Sequence, residues 1–330
     1  MKKKYLTVSV IVNVYNEEKI ITECLQRVRD QDYPQDKIDI ILVDDNSTDN
    51  TVAIAKRFRI KVVKSGYKNI ERAKSIGIEH ARGELILFLD ADVLLYSPKW
   101  ISQANTLFQK YPAITAVQSI RWHYSKADSL ATRYCNLFGI NDPFIYFLKK
   151  RGALMATEED WPYKKTIVEK QHNYFIASFT VGTLPTMGAQ GYIIRRKRVF
   201  EASWKPYFFH LDTTYELVEK GYTMFALSKL AIRHVYVSSI YEFYAKLYRN
   251  ITLFLTLHAH RKYTYKVSKI QFLFTLLLMM SIVYPLWQSC KGYIKIHDKA
   301  WFLHPLFSFT VPVLYTFIVL KYKISTVKLY

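Results

Sequence analysis

Over the first hundred residues, short runs of β-branched and aliphatic residues alternate with stretches whose apolar positions recur at helical spacing. That alternation predicts an α/β fold with a mostly parallel sheet covered by helices on both faces. Val8 to Val14, interrupted only by Ser9 and Asn13, reads as the first strand. Asn16 then reads as the cap of a helix with Glu17 and Glu18 in its first turn and Ile20, Ile21, Cys24, Leu25 and Val28 on one stripe, closing near Tyr33-Pro34. Ile38 to Val43 and Ile60 to Val63 read as the second and third strands, Glu71 to His80 as a helix ended by Gly83, and Glu84 to Leu89 as the fourth strand. Three polar segments, Asn13 to Glu17, Asp44 to Asp49 and Asp90 to Asp92, each follow a strand and are expected on one edge of the sheet, where such folds bind ligands.

The pattern changes after residue 120. Residues 120–235 are rich in Tyr, Trp and Phe without a clean period. From Ile240 the positions Phe243, Tyr244, Leu247, Tyr248, Ile251, Phe254, Leu255 and His258 fall at helical spacing beside Lys246 and Arg249, which predicts an amphipathic helix lying in a membrane interface, with a helix packed on the protein as the alternative. Ile270 to Cys290 and Trp301 to Leu320 are then uncharged over 21 and 20 residues, each long enough to span a bilayer. Pro285, Pro305, Pro312 and His304 weaken this reading, for the second segment in particular, and leave a re-entrant hairpin open. Two spans are expected.

The charge sharpens the picture. The chain of 330 residues carries 47 basic and 27 acidic side chains, a net +20. Residues 1–143 hold 21 and 17 of these, so residues 144–330 hold 26 and 10, or +16. From Phe243 onward there are twelve Lys and Arg against the single Asp298, in otherwise aliphatic and aromatic sequence, which points to anionic membrane lipids and away from nucleic acid. Arg261, Lys262, Lys266 and Lys269 before the first apolar segment and Lys321, Lys323 and Lys328 after the second outnumber Lys291, Lys295 and Lys299 between them, favouring both termini in the cytoplasm. No cleavable signal is expected at the N-terminus. Cys24, Cys135 and Cys290 are too scattered for a disulfide framework or a paired-ligand metal site.

Among candidate chemical groups, Asp90-Ala91-Asp92 ends an apolar strand, where two carboxylates can reach a divalent ion that also holds two phosphates. Such a pair in isolation is more often a solvated loop. Its context decides the matter. Val10-Ile-Val-Asn-Val-Tyr-Asn-Glu-Glu18, Ile41-Leu-Val-Asp-Asp-Asn-Ser-Thr-Asp-Asn-Thr51 and Ala81-Arg-Gly-Glu-Leu-Ile-Leu-Phe-Leu-Asp-Ala-Asp92, in this order, closely resemble the family 2 glycosyltransferases of GT-A fold. The resemblance continues through Gly188-Ala-Gln-Gly-Tyr-Ile-Ile-Arg-Arg196 and Leu217-Val-Glu-Lys-Gly-Tyr222, covering about residues 7–235.

The resemblance implies a Rossmann-like GT-A domain. It implies that Tyr15, Asn16 and Glu17 lie against a nucleotide, that Asp45 accepts a hydrogen from its base, usually uracil, and that Asp90 and Asp92 hold the Mg²⁺ or Mn²⁺ of a nucleotide sugar, with His234 as a further metal or diphosphate contact. Lys74 stands where the family more often has Arg and is expected near the phosphates. Gln190, Arg195 and Arg196 are diphosphate or acceptor candidates, the two arginines being equally readable as a solvated or lipid-facing run. The family's acidic cluster before a Gly-Tyr pair is altered: counting back from Gly221-Tyr222 puts His210 at the usual base position and Asp212 at the second acid, and either is a candidate base. Glu158-Glu159-Asp160-Trp161 comes too early to be that cluster and reads as a solvated loop.

The implied organisation is a nucleotide-sugar half at 1–120, an acceptor half at 121–237, an amphipathic helix at 238–266 and a transmembrane hairpin at 267–330. The implied activity is inverting transfer of a sugar, from a UDP-sugar by preference, to a lipid-linked or cell-envelope glycan acceptor at the cytoplasmic membrane face. A polyprenyl-phosphate mannose or glucose synthase is the alternative, and a non-catalytic nucleotide-sugar-binding partner a remote one.

Overall fold

The protein, a computed structural model, is described over residues 4–263 and 267–327, with side chains to residue 324; Lys266 and Lys328, counted above for orientation, lie outside the described residues. It separates into two units, one of Met1–His123 with Trp161–His234, the other of Tyr124–Asp160 with Val235–Tyr330. In chain order the elements run β1 (Val8–Val14), α1 (Ile21–Arg29), β2 (Ile38–Asp44), α2 (Thr51–Arg57), β3 (Lys61–Lys64), α3 (Ile70–His80), β4 (Leu85–Asp90), β5 (Val93–Leu95), α4 (Trp100–Lys110) and β6 (Ala116–Ser119). In the second unit follow α5 (Leu130–Phe138) and α6 (Pro143–Phe147). The chain then returns with β7 (Ile167–Lys170), β8 (Tyr174–Ser178), β9 (Tyr192–Arg195), α7 (Arg196–Phe200), α8 (His210–Glu219), β10 (Met224–Ser228) and β11 (Ile232–His234).

The first unit is built on a nine-stranded sheet, β3-β2-β1-β4-β9-β6-β10-β8-β7, with β5 and β11 forming a separate ribbon. The strands β3, β2, β1 and β4 are parallel, and β6 is parallel to β10, while β9 runs antiparallel between β4 and β6. All seven residues of β1 are buried, as befits a central parallel strand covered on both sides. Ser9 fits this interior because its Oγ accepts the N–H groups of Arg82 and Gly83 at 3.0 and 2.9 Å. The stripe of α1 is as the period predicts, with Ile21, Cys24, Leu25 and Val28 buried. Its start is not. Asn16 is no helix cap: its φ of 55° puts it in the left-handed region, and the helix begins five residues later at Ile21.

The second unit holds α5, α6, α9 (Ile240–Thr256), α10 (Lys269–Met280), α11 (Val283–Lys295) and α12 (Leu303–Val327). Segment 124–160 was expected with the acceptor half, yet it belongs here because the apolar side chains of α5 pack on the C-terminal helices, Tyr134 edge-on to Phe307 and Phe138 stacked on His304. Phe243, Leu247 and Ile251 of α9 are buried, with Phe243 stacked on Phe307 at 4.2 Å, so this part of the stripe packs on protein, while Phe254 is 38% exposed. Glu158 is partly exposed and takes the Arg151 guanidinium at 2.6 Å and the Met155 N–H at 3.0 Å, while Glu159 and Asp160 are exposed.

Residues Lys299–Ile324 form the one continuous helix among the described residues long and apolar enough to cross a membrane, 26 residues with mean hydropathy 1.7. The first apolar segment is instead broken into α10 and α11, bent by 66°. The interruption thus falls in the first segment, whereas the sequence pattern expected two spans and weakened the second in particular. Pro285 explains it: a helix continued from α10 would need its missing N–H, and its ring would meet the carbonyl of Ser281. Pro305 near the start of α12 and Pro312 inside it, by contrast, leave that helix unbroken, and the His304 ring is bonded to Tyr134 Oη and Gln288 Oε1, both at 3.0 Å.

Candidate active site

The parallel strands β1, β2 and β4 end in register, Val14 beside Asp44 and Asn13 beside Asp90, so the three polar loops share one edge of the sheet. After β1, Tyr15 is 49% exposed, and the Asn16 side chain ties the first loop to the second, its Oδ1 accepting the Thr48 N–H at 2.8 Å while its own N–H donates to Ser47 Oγ at 3.0 Å. The Glu17 N–H donates to Thr51 Oγ1 at 2.8 Å. Burial alone would raise the Asp49 carboxyl, but the Thr51 hydroxyl and N–H and the Glu18 N–H hold it below its usual value. Asp45 is buried at the end of β2 and accepts the Ser65 hydroxyl.

Helix α3 crosses beneath these loops. A Cβ on Gly77 would lie 2.5 Å from Ile11 Cγ2, so only glycine lets the helix approach β1 this closely. One turn earlier the buried Lys74 reaches Asp90 Oδ1 at 3.7 Å and Glu71 Oε2 at 3.9 Å. Burial would depress its ammonium, yet Asp90, Glu71 and Asp92 together raise it above its usual value. The ribbon supplies the far side. Val93 pairs with His234, which brings His234 Nε2 to 3.7 Å from Asp92 Oδ2, the imidazole standing edge-on to Trp122.

Two further segments close on the end of β4. Gln118 holds the loop before β9, accepting the Gly188 N–H and donating to the Gln190 carbonyl, both at 3.0 Å. Gly188, with φ +104°, leaves room for His210 at the start of α8, whose Cβ would otherwise meet an added Cβ at 2.8 Å. The His210 ring stands edge-on to Phe88, two residues before Asp90, and to Phe208. Asp212 is 5% exposed. Thus Tyr15, Asn16, Glu17, Asp45, Lys74, Asp90, Asp92, Gln190, His210 and His234 gather at one end of one sheet.

Arg195 and Arg196 do not. Because β9 is antiparallel to β4, Arg195 pairs with Leu85 at the opposite end from Asp90. Its guanidinium is bound to the carbonyls of Phe108, Ile114 and Pro112, and that of Arg196 to the carbonyl of Ala81. Both are structural, and neither can reach a diphosphate held by Asp90. Conversely, Ser65, Glu71, Trp122 and Phe88 were not singled out from the sequence; each touches a site residue only through the fold, and no local motif marks them.

Asp90 and Asp92 offer hard carboxylate oxygens with side chains 29% and 16% exposed. No group of three or more His, Cys, Asp or Glu among the described residues could hold a metal alone. Two carboxylates are a donor set that Mg²⁺ accepts, since that ion takes one or two carboxylates and completes its shell with phosphates and water.

The model of the family described as Glycosyl transferase family 2 matches residues 9–202. A poly(ribitol-phosphate) beta-N-acetylglucosaminyltransferase, TarS, of Staphylococcus aureus is 36% identical over 90 residues, 26% of this chain and 16% of that protein. Glycosyltransferase GlyG of Streptococcus pneumoniae is 33% identical over 165 residues, 48% of this chain and 52% of that one. The chain therefore spans less than two thirds of the length of either relative. Among solved structures, the mannosyltransferase PcManGT from Pyrobaculum calidifontis, in complex with GDP-Man and Mn²⁺, superposes with a TM-score of 0.55 at 15% identity, covering 96% of this chain and 87% of that one. This is a likeness of fold, of GT-A type.

Proposed function

The chain belongs to glycosyl transferase family 2, and from that premise we propose that it is a membrane-bound inverting glycosyltransferase using a nucleotide-sugar donor, a UDP-sugar by preference. The observation that carries the reading is the convergence of Asp45, Lys74, Asp90 and Asp92 at one sheet edge. Asp45 takes the base, and Tyr15 covers the nucleotide from the loop that Asn16 and Glu17 hold in place. Asp90 and Asp92 would hold Mg²⁺ or Mn²⁺, with His234 behind Asp92; such an ion offsets the charge that builds on the departing diphosphate. Lys74 adds a fixed cation on the same side.

The acceptor oxygen attacks the anomeric carbon from the face opposite the diphosphate, the bond to the diphosphate breaks with its electron pair, and the acceptor's proton passes to a base. His210 is the better placed base, being partly exposed on Phe88, while Asp212 is buried. Gln190 lines the acceptor side. One observation favours a second reading: with a histidine in place of the family's carboxylate, an anionic polyprenyl phosphate, which needs no base, is a fitting acceptor. Loss of transfer in either His210→Ala or Asp212→Asn supports a hydroxyl acceptor, and survival of both supports the phosphate. The exposed apolar side chains of α10, α11 and α12, including Leu273, Phe274, Leu277, Val313 and Phe317, would hold the protein at the cytoplasmic face among anionic lipids, within reach of a lipid-linked or cell-envelope glycan acceptor.

The donor reading is tested by thermal shift of the detergent-solubilised chain with UDP, GDP, CDP and dTDP, with and without Mn²⁺. At one hundred times its dissociation constant a bound nucleotide stabilises by about 2.7 kcal/mol. One nucleotide is expected to do so only with metal, and not in Asp92→Asn; no shift with any of the four refutes the reading.

A further inference from the structure

Strand β1 carries two polar residues in an otherwise apolar run, and the fold accounts for only one. Ser9 is bonded to backbone N–H groups. Asn13 is 4% exposed, and neither its Oδ1 nor its Nδ2 has a hydrogen-bond partner among the described residues. An amide buried without partners is strongly unfavourable, so one kept at the ligand-facing end of a central strand points to a partner that arrives from outside.

The register fixes where this amide faces. Asn13 pairs with Val43 on β2 and with Asp90 on β4, and side chains in register on parallel strands share a face. Gly77 of α3 lies against Ile11 and Val43, and Lys74 reaches Asp90, so that face is the one α3 covers. Asp45 follows Val43 by two residues and shares it. Across three neighbouring strands the order is therefore Asp45, Asn13, Asp90.

On the donor reading above, on which this rests, we infer that the Asn13 amide hydrogen-bonds the ribose hydroxyls of the bound nucleotide. In a nucleotide sugar the ribose joins the base to the diphosphate. With the base at Asp45 and the diphosphate at Asp90, and neighbouring strands about 4.8 Å apart, the ribose falls over β1. A carboxamide offers both an acceptor and donors, which suits hydroxyls that both give and accept. Binding thus completes an interior left incomplete in the free protein.

The test is calorimetric titration of the full chain in detergent with UDP and GDP plus Mn²⁺, and with their 2′-deoxy and 3′-deoxy counterparts, on the unaltered protein, Asn13→Val and Asn13→Ala. Removing a bonded hydroxyl is expected to weaken binding to the unaltered protein about tenfold. Asn13→Val is expected to bind the parent nucleotide about tenfold more weakly and to be indifferent to the missing hydroxyl. It should also melt no lower than the unaltered protein without ligand, since its unpaired amide is gone. If Asn13→Val fails to fold, Asn13→Ala and the deoxy series on the unaltered protein decide. Unchanged affinity in the variants, or an unaltered protein indifferent to both deoxy forms, overturns the inference while leaving the donor reading standing. An unaltered protein that binds no nucleoside diphosphate overturns both.

Discussion

Arg195, half-buried, and Lys74, buried, show how differently two cations serve one sheet. The guanidinium of Arg195 donates to the carbonyls of Phe108, Ile114 and Pro112, so Arg195→Met leaves three carbonyls short of a donor. A loss of about 2 kcal/mol in stability is expected, with donor affinity unchanged because Asp90 lies at the other end of β4. Chemical denaturation and nucleotide titration of the same sample check both halves; a loss of affinity without a loss of stability would return Arg195 to the binding site. Lys74 is the reverse case, its charge held between Asp90 and Glu71 at the ligand edge. The family resemblance made both residues candidate cations for a phosphate site, Arg195 being equally readable as solvated or lipid-facing. It could not tell them apart, because the direction of β9 is a property of the sheet and leaves no trace in the local pattern Ile193-Ile194-Arg195-Arg196.

At the scale of elements, α3 is the part on which the site depends most. Its Gly77 is packed at the closest approach to β1, and Gly77→Ala would drive a methyl into Ile11 and Val43. The expected cost is about 1–3 kcal/mol, accompanied by weaker nucleotide binding, since any outward shift of the helix carries Lys74 away from Asp90. Parallel melting and titration experiments read both effects, and a variant as stable as the unaltered protein would show that the helix has room to move. The existence of α3 and of the four strands around it was legible from apolar periodicity, to within a residue or two at most ends. The start of α1 was not, because Asn16 sits at positive φ, bonded to the loop after β2 instead of to its own helix. That choice is made by two loops meeting, and a cap signature read along one of them misses it.

For the whole molecule the issue is what covers the apolar surface of the second unit. Ile270, Leu273, Phe274, Leu277, Val313 and Phe317 are all between 52% and 82% exposed, far more apolar surface than a water-facing unit carries without a partner. Expressed in full, the protein is expected to stay with membranes after alkaline extraction. Replacing Leu273, Phe274 and Leu277 together by Ser is expected to weaken that retention while leaving nucleotide binding intact. Full release of the unaltered chain by alkaline carbonate would show that a protein partner, and not lipid, covers this face.

By itself the sequence determined the α/β alternation, the edge at which Asp45, Asp90 and Asp92 meet, and the apolar, basic character of the C-terminal third, because each is written in residue type and short-range spacing. Only the tertiary structure decided that Arg195 and Arg196 face away, that His234 joins Asp92 and His210 joins Phe88, that segment 124–160 belongs with the C-terminal helices, and that the first apolar segment breaks while the last runs unbroken. The physical reason is common to these cases. Strand direction, ribbon pairing and the burial of one helix face on another are settled by contacts between residues far apart in the chain, and the free energy of such contacts is set by neighbours that local sequence does not name.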